Sequence, residues 1–180
     1  YNLRETQTYE IIEDVALMKS EIGILYINES NSVILNKAFR EKELEFTELF
    51  TAKPHVFMSR YNPLAGKKGV SWEDLKPYPY LSFEQGDHNS FYYSEEIFSN
   101  VERPKNIRVR DRATLFNLVI GLNGYTVCSG IIDEELNGKD IVAVPLKAEG
   151  DMHVGYIRHK KAVVSHLAQA YIEELKKYIV

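Results

Sequence analysis

The sequence predicts an α/β fold divided into two lobes, and three observations predict it. The stretch NIRVRDRATLFNLVIGLNGYTVCSG, Asn106 to Gly130, reads as a strand, a turn opening a helix, an apolar helix closed by glycines, and a second buried strand: a parallel β/α/β unit. The run EIGILYI, Glu21 to Ile27, is too continuously apolar for an amphipathic surface strand and reads as a parallel strand covered on both faces. Pro54 separates two strand-like runs, Leu44–Phe50 and His55–Tyr61; lacking a backbone donor, it marks a sheet edge or a hand-over between two sheets, and a domain crossover is placed there. A chain of 180 residues, 44% hydrophobic and 27% charged, can bury one large core or two small ones.

From the start, residues Tyr1 to Thr6 read as a strand end, and Thr8 is placed to cap a helix whose Ile11, Ile12, Val15 and Met18 follow the helical period. Glu10, Glu13 and Asp14 lie early in it, where the helix dipole favours acids. After the Glu21–Ile27 strand, Ser32 is expected to cap a second helix with Ile34, Leu35, Ala38 and Phe39 on its apolar side. Past the crossover, NPLAGKKGVSWEDLKPYPYLSF has the punctuation of a surface connection. Ser71 and Asp74 stand at capping-box spacing for one helical turn before a buried strand, Tyr80–Phe83. Asn89 or Ser90 is expected to start a helix running to about Phe98. Ala113–Leu122 packs Leu115, Leu118 and Val119 inward, and Gly121 and Gly124 permit a tight exit. Ile141–Leu146 and His153–Arg158 read as strands. Ala162–Ile179 closes the chain as an amphipathic helix bearing Leu167, Ala170, Tyr171, Glu174 and Leu175.

The formal charge of −4 argues against a nucleic-acid surface in this chain, since such domains carry a basic face. Cys128 is the single cysteine, so no intramolecular disulfide can form and a reducing compartment, the cytoplasm, is expected. No run approaches the roughly 18 consecutive apolar residues of a membrane span. The five histidines show no metal-ligand spacing, and there is neither a Gly-x-Ser-x-Gly elbow nor a phosphate-binding glycine loop. No metal, no cofactor and no catalytic residue are expected.

Four stretches taken in order carry a resemblance: EIIEDVALMKSEIGILYI, HVFMSRYNPLAGKKGVSWEDLKPYPYLSF, VRDRATLFNLVIGLNGYTVCSG and HVGYIRHKKAVVSHLAQAYIEELKKYI. Together the chain resembles the effector-binding domain of LysR-type transcriptional regulators. It departs from that pattern at GLNGY, one residue longer than the usual turn, and at Cys128-Ser129-Gly130, where the family has Leu-Pro. The resemblance implies a type II periplasmic-binding-protein-like fold: two Rossmann-like lobes joined by crossover strands with a ligand cleft between them. Residues 1–53 and 152–180 would form lobe I and residues 54–151 lobe II. By the family pattern the first strand and first long helix of lobe I, and the winged helix-turn-helix that binds DNA, are expected before Tyr1, which makes lobe I incomplete. The resemblance further implies a small anionic effector, a homodimer or higher homo-oligomer, DNA contact only through the missing N-terminal domain, and no membrane. The rivals are a transporter's solute-binding protein of the same fold and a small α/β enzyme using the same cleft.

The site residues fall on loops at strand ends. Tyr26 and Asn28 follow the first buried strand, as ligand contacts or as a plain surface turn. Glu84, Gln85, Asn89 and Ser90 follow the Tyr80–Phe83 strand; Asn89 and Ser90 either orient a ligand or cap the next helix. Arg110 and Arg112 are candidates to grip an anion, unless Asp111 between them neutralises one or caps the helix. Thr114 and Ser129 complete the set as hydrogen-bonding groups. For Cys128 a redox-sensing role competes with a buried, inert thiol, and the missing second thiol favours the latter.

Overall fold

The computed structural model describes residues 2–88 and 90–177, and the side chain of Leu136 is not among the described parts. The chain divides into two compact units, Tyr1–Thr51 with Met152–Val180, and Ala52–Asp151.

The first unit contains α1 (Thr8–Ala16), β1 (Gly23–Ile27), α2 (Ser32–Glu41), β2 (Leu44–Ala52), β8 (Met152–His159) and α6 (His166–Lys177). Its sheet has the order β1-β8-β2. The parallel pairing expected for the first apolar run is not found: β1 runs antiparallel to β8, from Gly23 opposite Ile157 to Ile27 opposite His153. Burial alternates along β1, with Gly23, Leu25 and Ile27 buried and Ile24 and Tyr26 half-buried, so one face is less covered than its apolar run implied. Gly23 has no side chain because α1 crosses it: a Cβ there would collide with Ile11 Cγ2 and sit 3.1 Å from Val15 Cγ2. Residues 2–7 form no strand. The helix starts moved by one residue, Gln7 and Asn31 standing at the N-cap positions in place of Thr8 and Ser32. In α6 the inward residues are Ala168 and Ile172, whereas Leu167, Ala170, Tyr171 and Glu174 are exposed. Its start is at His166, where Ser165 Oγ accepts from Ala168 N at 3.2 Å, and its expected end at Ile179 lies outside the described residues.

The second unit contains β3 (His55–Ser59), α3 (Trp72–Leu75), β4 (Tyr80–Phe83), β5 (Asn106–Val109), α4 (Arg112–Gly121), β6 (Tyr125–Cys128), α5 (Glu134–Asn137) and β7 (Ile141–Pro145). The strand order is β5-β4-β6-β3-β7. β4 is parallel to β5 and to β6, so the β/α/β unit from Asn106 to Cys128 spans β4 between its two strands. β3 is antiparallel to β6 and β7. The core against α4 consists of Phe57, Leu81, Val109, Leu115, Val119 and Ile141. The capping box at α3 is complete: Ser71 Oγ accepts from Asp74 N at 3.3 Å and Asp74 Oδ2 from Ser71 N at 2.9 Å.

The helix expected from Asn89 or Ser90 to Phe98 is absent; Asn89 itself lies outside the described residues. The described residues there form short 3-10 turns, Gly86–His88 and Phe91–Tyr93, followed by irregular chain. Long-range contacts hold this segment out of a helix. Glu96, buried at 3% exposure, accepts from Phe83 N at 2.6 Å and from Ser94 Oγ at 3.0 Å. Arg103 then donates to the carbonyls of Val101 and Phe98 at 2.9 and 3.0 Å, while its guanidinium lies 3.9 Å over the Tyr80 ring and 5.0 Å over Trp72. Phe98 is left with a φ of 63°, a conformation a helix cannot contain.

Candidate functional site

In the second unit three parallel strands, β5, β4 and β6, end on the same side of the sheet, and their following loops carry most of the expected site residues. The β4–β5 register places Phe83 opposite Val109, and Glu84 N donates to Val109 O at 2.8 Å, so the pairing extends one residue further. Glu84 and Arg110 therefore meet across the strands. Arg110 Nε donates to Glu84 Oε2 at 2.5 Å and Nη2 to Oε1 at 3.3 Å. The Arg110 hydrogen bond and charge hold the Glu84 carboxyl below its ordinary range, and Glu84 raises Arg110 in turn. With the Arg110 side chain 83% exposed, this pair contributes little to stability. Its consequence is for charge: Arg110 already has a carboxylate partner.

Asp111 takes the capping role. Its Oδ1 accepts from Thr114 N at 2.8 Å, and this backbone hydrogen bond holds its carboxyl below the usual range. A carboxylate on the first turn of α4 already serves the amides that an anion would seek. Arg112 has its guanidinium 6.0 Å from the Phe116 ring. Ser90 also caps: Oγ accepts from Tyr92 N at 3.4 Å, over the 3-10 turn Phe91–Tyr93. Ser129 Oγ accepts from Ile131 N at 3.4 Å after β6. There Gly130, at φ 82°, packs against the His55 imidazole, where a Cβ would lie 2.5 Å from Cγ. Gln85 differs from all of these: it is buried at 6% exposure, and neither atom of its carboxamide has a hydrogen-bond partner among the described residues.

In the first unit, Asn28 is spent on a turn. Asn28 N donates to Asn31 Oδ1 at 2.7 Å and Asn31 N to Asn28 Oδ1 at 2.9 Å, while Asn31 Nδ2 reaches Tyr26 O at 3.4 Å. This reciprocal lock starts α2 and uses the buried Asn31, a residue that sequence reasoning passed over although the Asn-x-x-Asn spacing signals it. Glu96 and Arg103 were likewise missed, because the partners that draw them in, Phe83 N for Glu96 and the Tyr80 and Trp72 rings for Arg103, are remote in sequence. Burial pushes the Glu96 carboxyl up to about 7, against the lowering effect of its hydrogen bonds from Phe83 and Ser94. Cys128, half-buried, donates from Sγ to His55 O at 3.7 Å, and burial pushes its thiol up to about 12, which suppresses the reactive thiolate. Among the described residues no group of three or more His, Cys, Asp and Glu is placed to hold a metal ion, and no helix is long and apolar enough to cross a membrane.

Comparison with solved structures finds the same fold. The chain matches HinK, a LysR family transcriptional regulator from Pseudomonas aeruginosa, with a TM-score of 0.63 at 17% identity, over 97% of this chain and 58% of that one. The effector-binding domain of QuiR in complex with shikimate matches with a TM-score of 0.63 at 18% identity, over 96% and 78%. The BenM effector-binding domain with its effector benzoate gives 0.62 at 17%, over 99% and 79%. These likenesses establish the type II periplasmic-binding-protein-like α/β fold. A curated relative named "Probable nitrogen assimilation transcriptional activator", from Synechocystis sp. (strain ATCC 27184 / PCC 6803 / Kazusa), is 35% identical over 66 residues, which are 37% of this chain and 21% of the relative. The chain thus spans only part of the regulators it matches. The family model described as the LysR substrate binding domain matches residues 1–179, and the chain belongs to that family.

Proposed function

We propose that this chain is the effector-sensing part of a LysR-type transcriptional regulator. It binds a small carboxylate and thereby changes how the whole protein, working as a homo-oligomer in the cytoplasm, engages DNA through a separate DNA-binding part. The observation that carries the reading is the common direction of β4, β5 and β6. It gathers the loops 84–90, 110–114 and 129–132 at the carboxyl end of one sheet, where open α/β sheets take their ligands. The ligand class is supported by shikimate in the QuiR domain and benzoate in the BenM domain. Arg112, the first residue of α4 at the carboxyl end of β5, is the cation we assign to the carboxylate. The role is one of binding rather than catalysis: a ligand that fits two arrangements of the chain unequally shifts the balance between them, and one that fits both equally switches nothing. Family membership favours this reading over a transporter's solute-binding protein or an enzyme of similar fold.

Thermal-shift titration with shikimate, benzoate and further small carboxylates tests the reading. A saturable rise in melting temperature is expected from a binder. Arg112→Ala weakens that binder by about tenfold or more, the worth of a charge-assisted hydrogen bond. Absence of a rise with every carboxylate removes the proposal, and equal affinity in Arg112→Ala removes Arg112 from the site.

A further inference from the structure

Buried polar side chains in folded proteins almost always have partners, so the Gln85 carboxamide, 6% exposed and with no partner for Oε1 or Nε2 among the described residues, is a cost to the fold that calls for a compensating role. Its place follows from β4. Leu81 and Phe83 face α4, in the core with Leu115 and Val119. Glu84, the next residue, turns to the other face and pairs with Arg110. Gln85 follows at the carboxyl end of β4, one residue past the last pairing, that of Glu84 N with Val109 O. Of the charges around this end, Glu84 is matched by Arg110, the α4 turn by Asp111, and Arg112 is the cation assigned above to the carboxylate. What remains is a neutral group offering one carbonyl acceptor and an amino donor.

We infer that Gln85 is a specificity-determining residue whose carboxamide pairs with an uncharged donor–acceptor group, a hydroxyl or a carboxamide, on the effector. This rests on the effector-binding reading above and narrows it: the ligand is a small carboxylate that also carries a hydroxyl or amide. A site built to hydrogen-bond such a group discriminates strongly against the analogue lacking it, because its own polar atoms are then left unpaired.

Two measurements on Gln85→Met, which keeps the side chain's length and removes its polarity, test the inference. Without ligand, the variant is expected to melt higher than the wild type by about 2–8 °C, since an unsatisfied buried amide has been removed. In titrations with malate against succinate, lactate against propionate, and 3-hydroxybenzoate against benzoate, the wild type is expected to prefer the hydroxylated member of at least one pair by about tenfold or more, and Gln85→Met to lose that preference while still binding the plain acid. A variant that melts lower than the wild type overturns the inference, because its amide then has partners in the fold. Equal affinity for both members of every pair also overturns it while leaving the effector-binding reading standing. Failure of the wild type to bind any member of any pair counts against both.

Discussion

Glu96 offers the sharpest test of the physical account, because a buried acid makes stability depend on pH in a direction opposite to most carboxylates. Burial moves its titration from the ordinary 4.5 up to about 7, so across that window the folded chain holds a proton that the unfolded chain releases. The sign follows: the contribution is fully present below about pH 4.5 and is lost as the pH rises through about 7. At about 1.4 kcal/mol for each pH unit between the two titration points, the loss is about 3 kcal/mol. Glu96→Gln removes the titration while keeping an oxygen to accept from Phe83 N and an amide to meet Ser94 Oγ. Urea unfolding of both proteins at about pH 5, 6, 7 and 8 reads the difference, in which the other titrating groups cancel. The variant is expected to match the wild type near pH 5 and to exceed it by up to about 3 kcal/mol near pH 8, roughly 6–12 °C in melting temperature for a chain of this size. Parallel pH profiles, or a variant that is the less stable protein at about pH 8, would refute the reasoning that Glu96 is held protonated by burial.

Two further predictions concern packing and reactivity. Gly23→Ala drives a methyl into Ile11 and Val15 of α1 and is expected to cost about 1–3 kcal/mol in urea unfolding; an unchanged midpoint would show that α1 does not lie against β1 as described. Cys128, with its thiol pushed up to about 12, should be alkylated by iodoacetamide near neutral pH at least about tenfold more slowly than a free cysteine peptide, and rapid labelling of the folded chain would contradict its burial.

The charges near the proposed site show why residue types alone mislead. Arg110, Asp111 and Arg112 read as an anion grip with one neutralising acid. In the fold the neutralising partner of Arg110 is Glu84, 26 residues away, and Asp111 turns to its own helix. Ser90 and Asn28 likewise meet backbone needs of their own turns. Such duties do not bar a residue from touching a ligand, but they reduce the unmatched polar groups at this edge, and the buried Gln85 is what stands out once they are assigned.

The interactions that reach across three or four residues were legible from the chain alone. The Ser71–Asp74 capping box, the inward Leu115 and Val119 of α4, and the apolar strands β3, β4 and β6 each depend on neighbours within one turn or on a short continuous apolar run, so their residues announce them. The order of such elements sufficed to recognise the family. What only the tertiary structure decided were pairings between distant segments: the antiparallel union of β1 with β8, more than 120 residues apart, the rotation of α6 onto Ala168 and Ile172, and the unravelling of the expected helix before Phe98. The physical reason is the same in each case. A backbone amide or an apolar face is satisfied by whichever partner the fold brings to it. When Glu96 reaches back 13 residues to Phe83 N, that bond outweighs a local preference of the 90–98 segment for helix that is worth only tenths of a kcal/mol per residue.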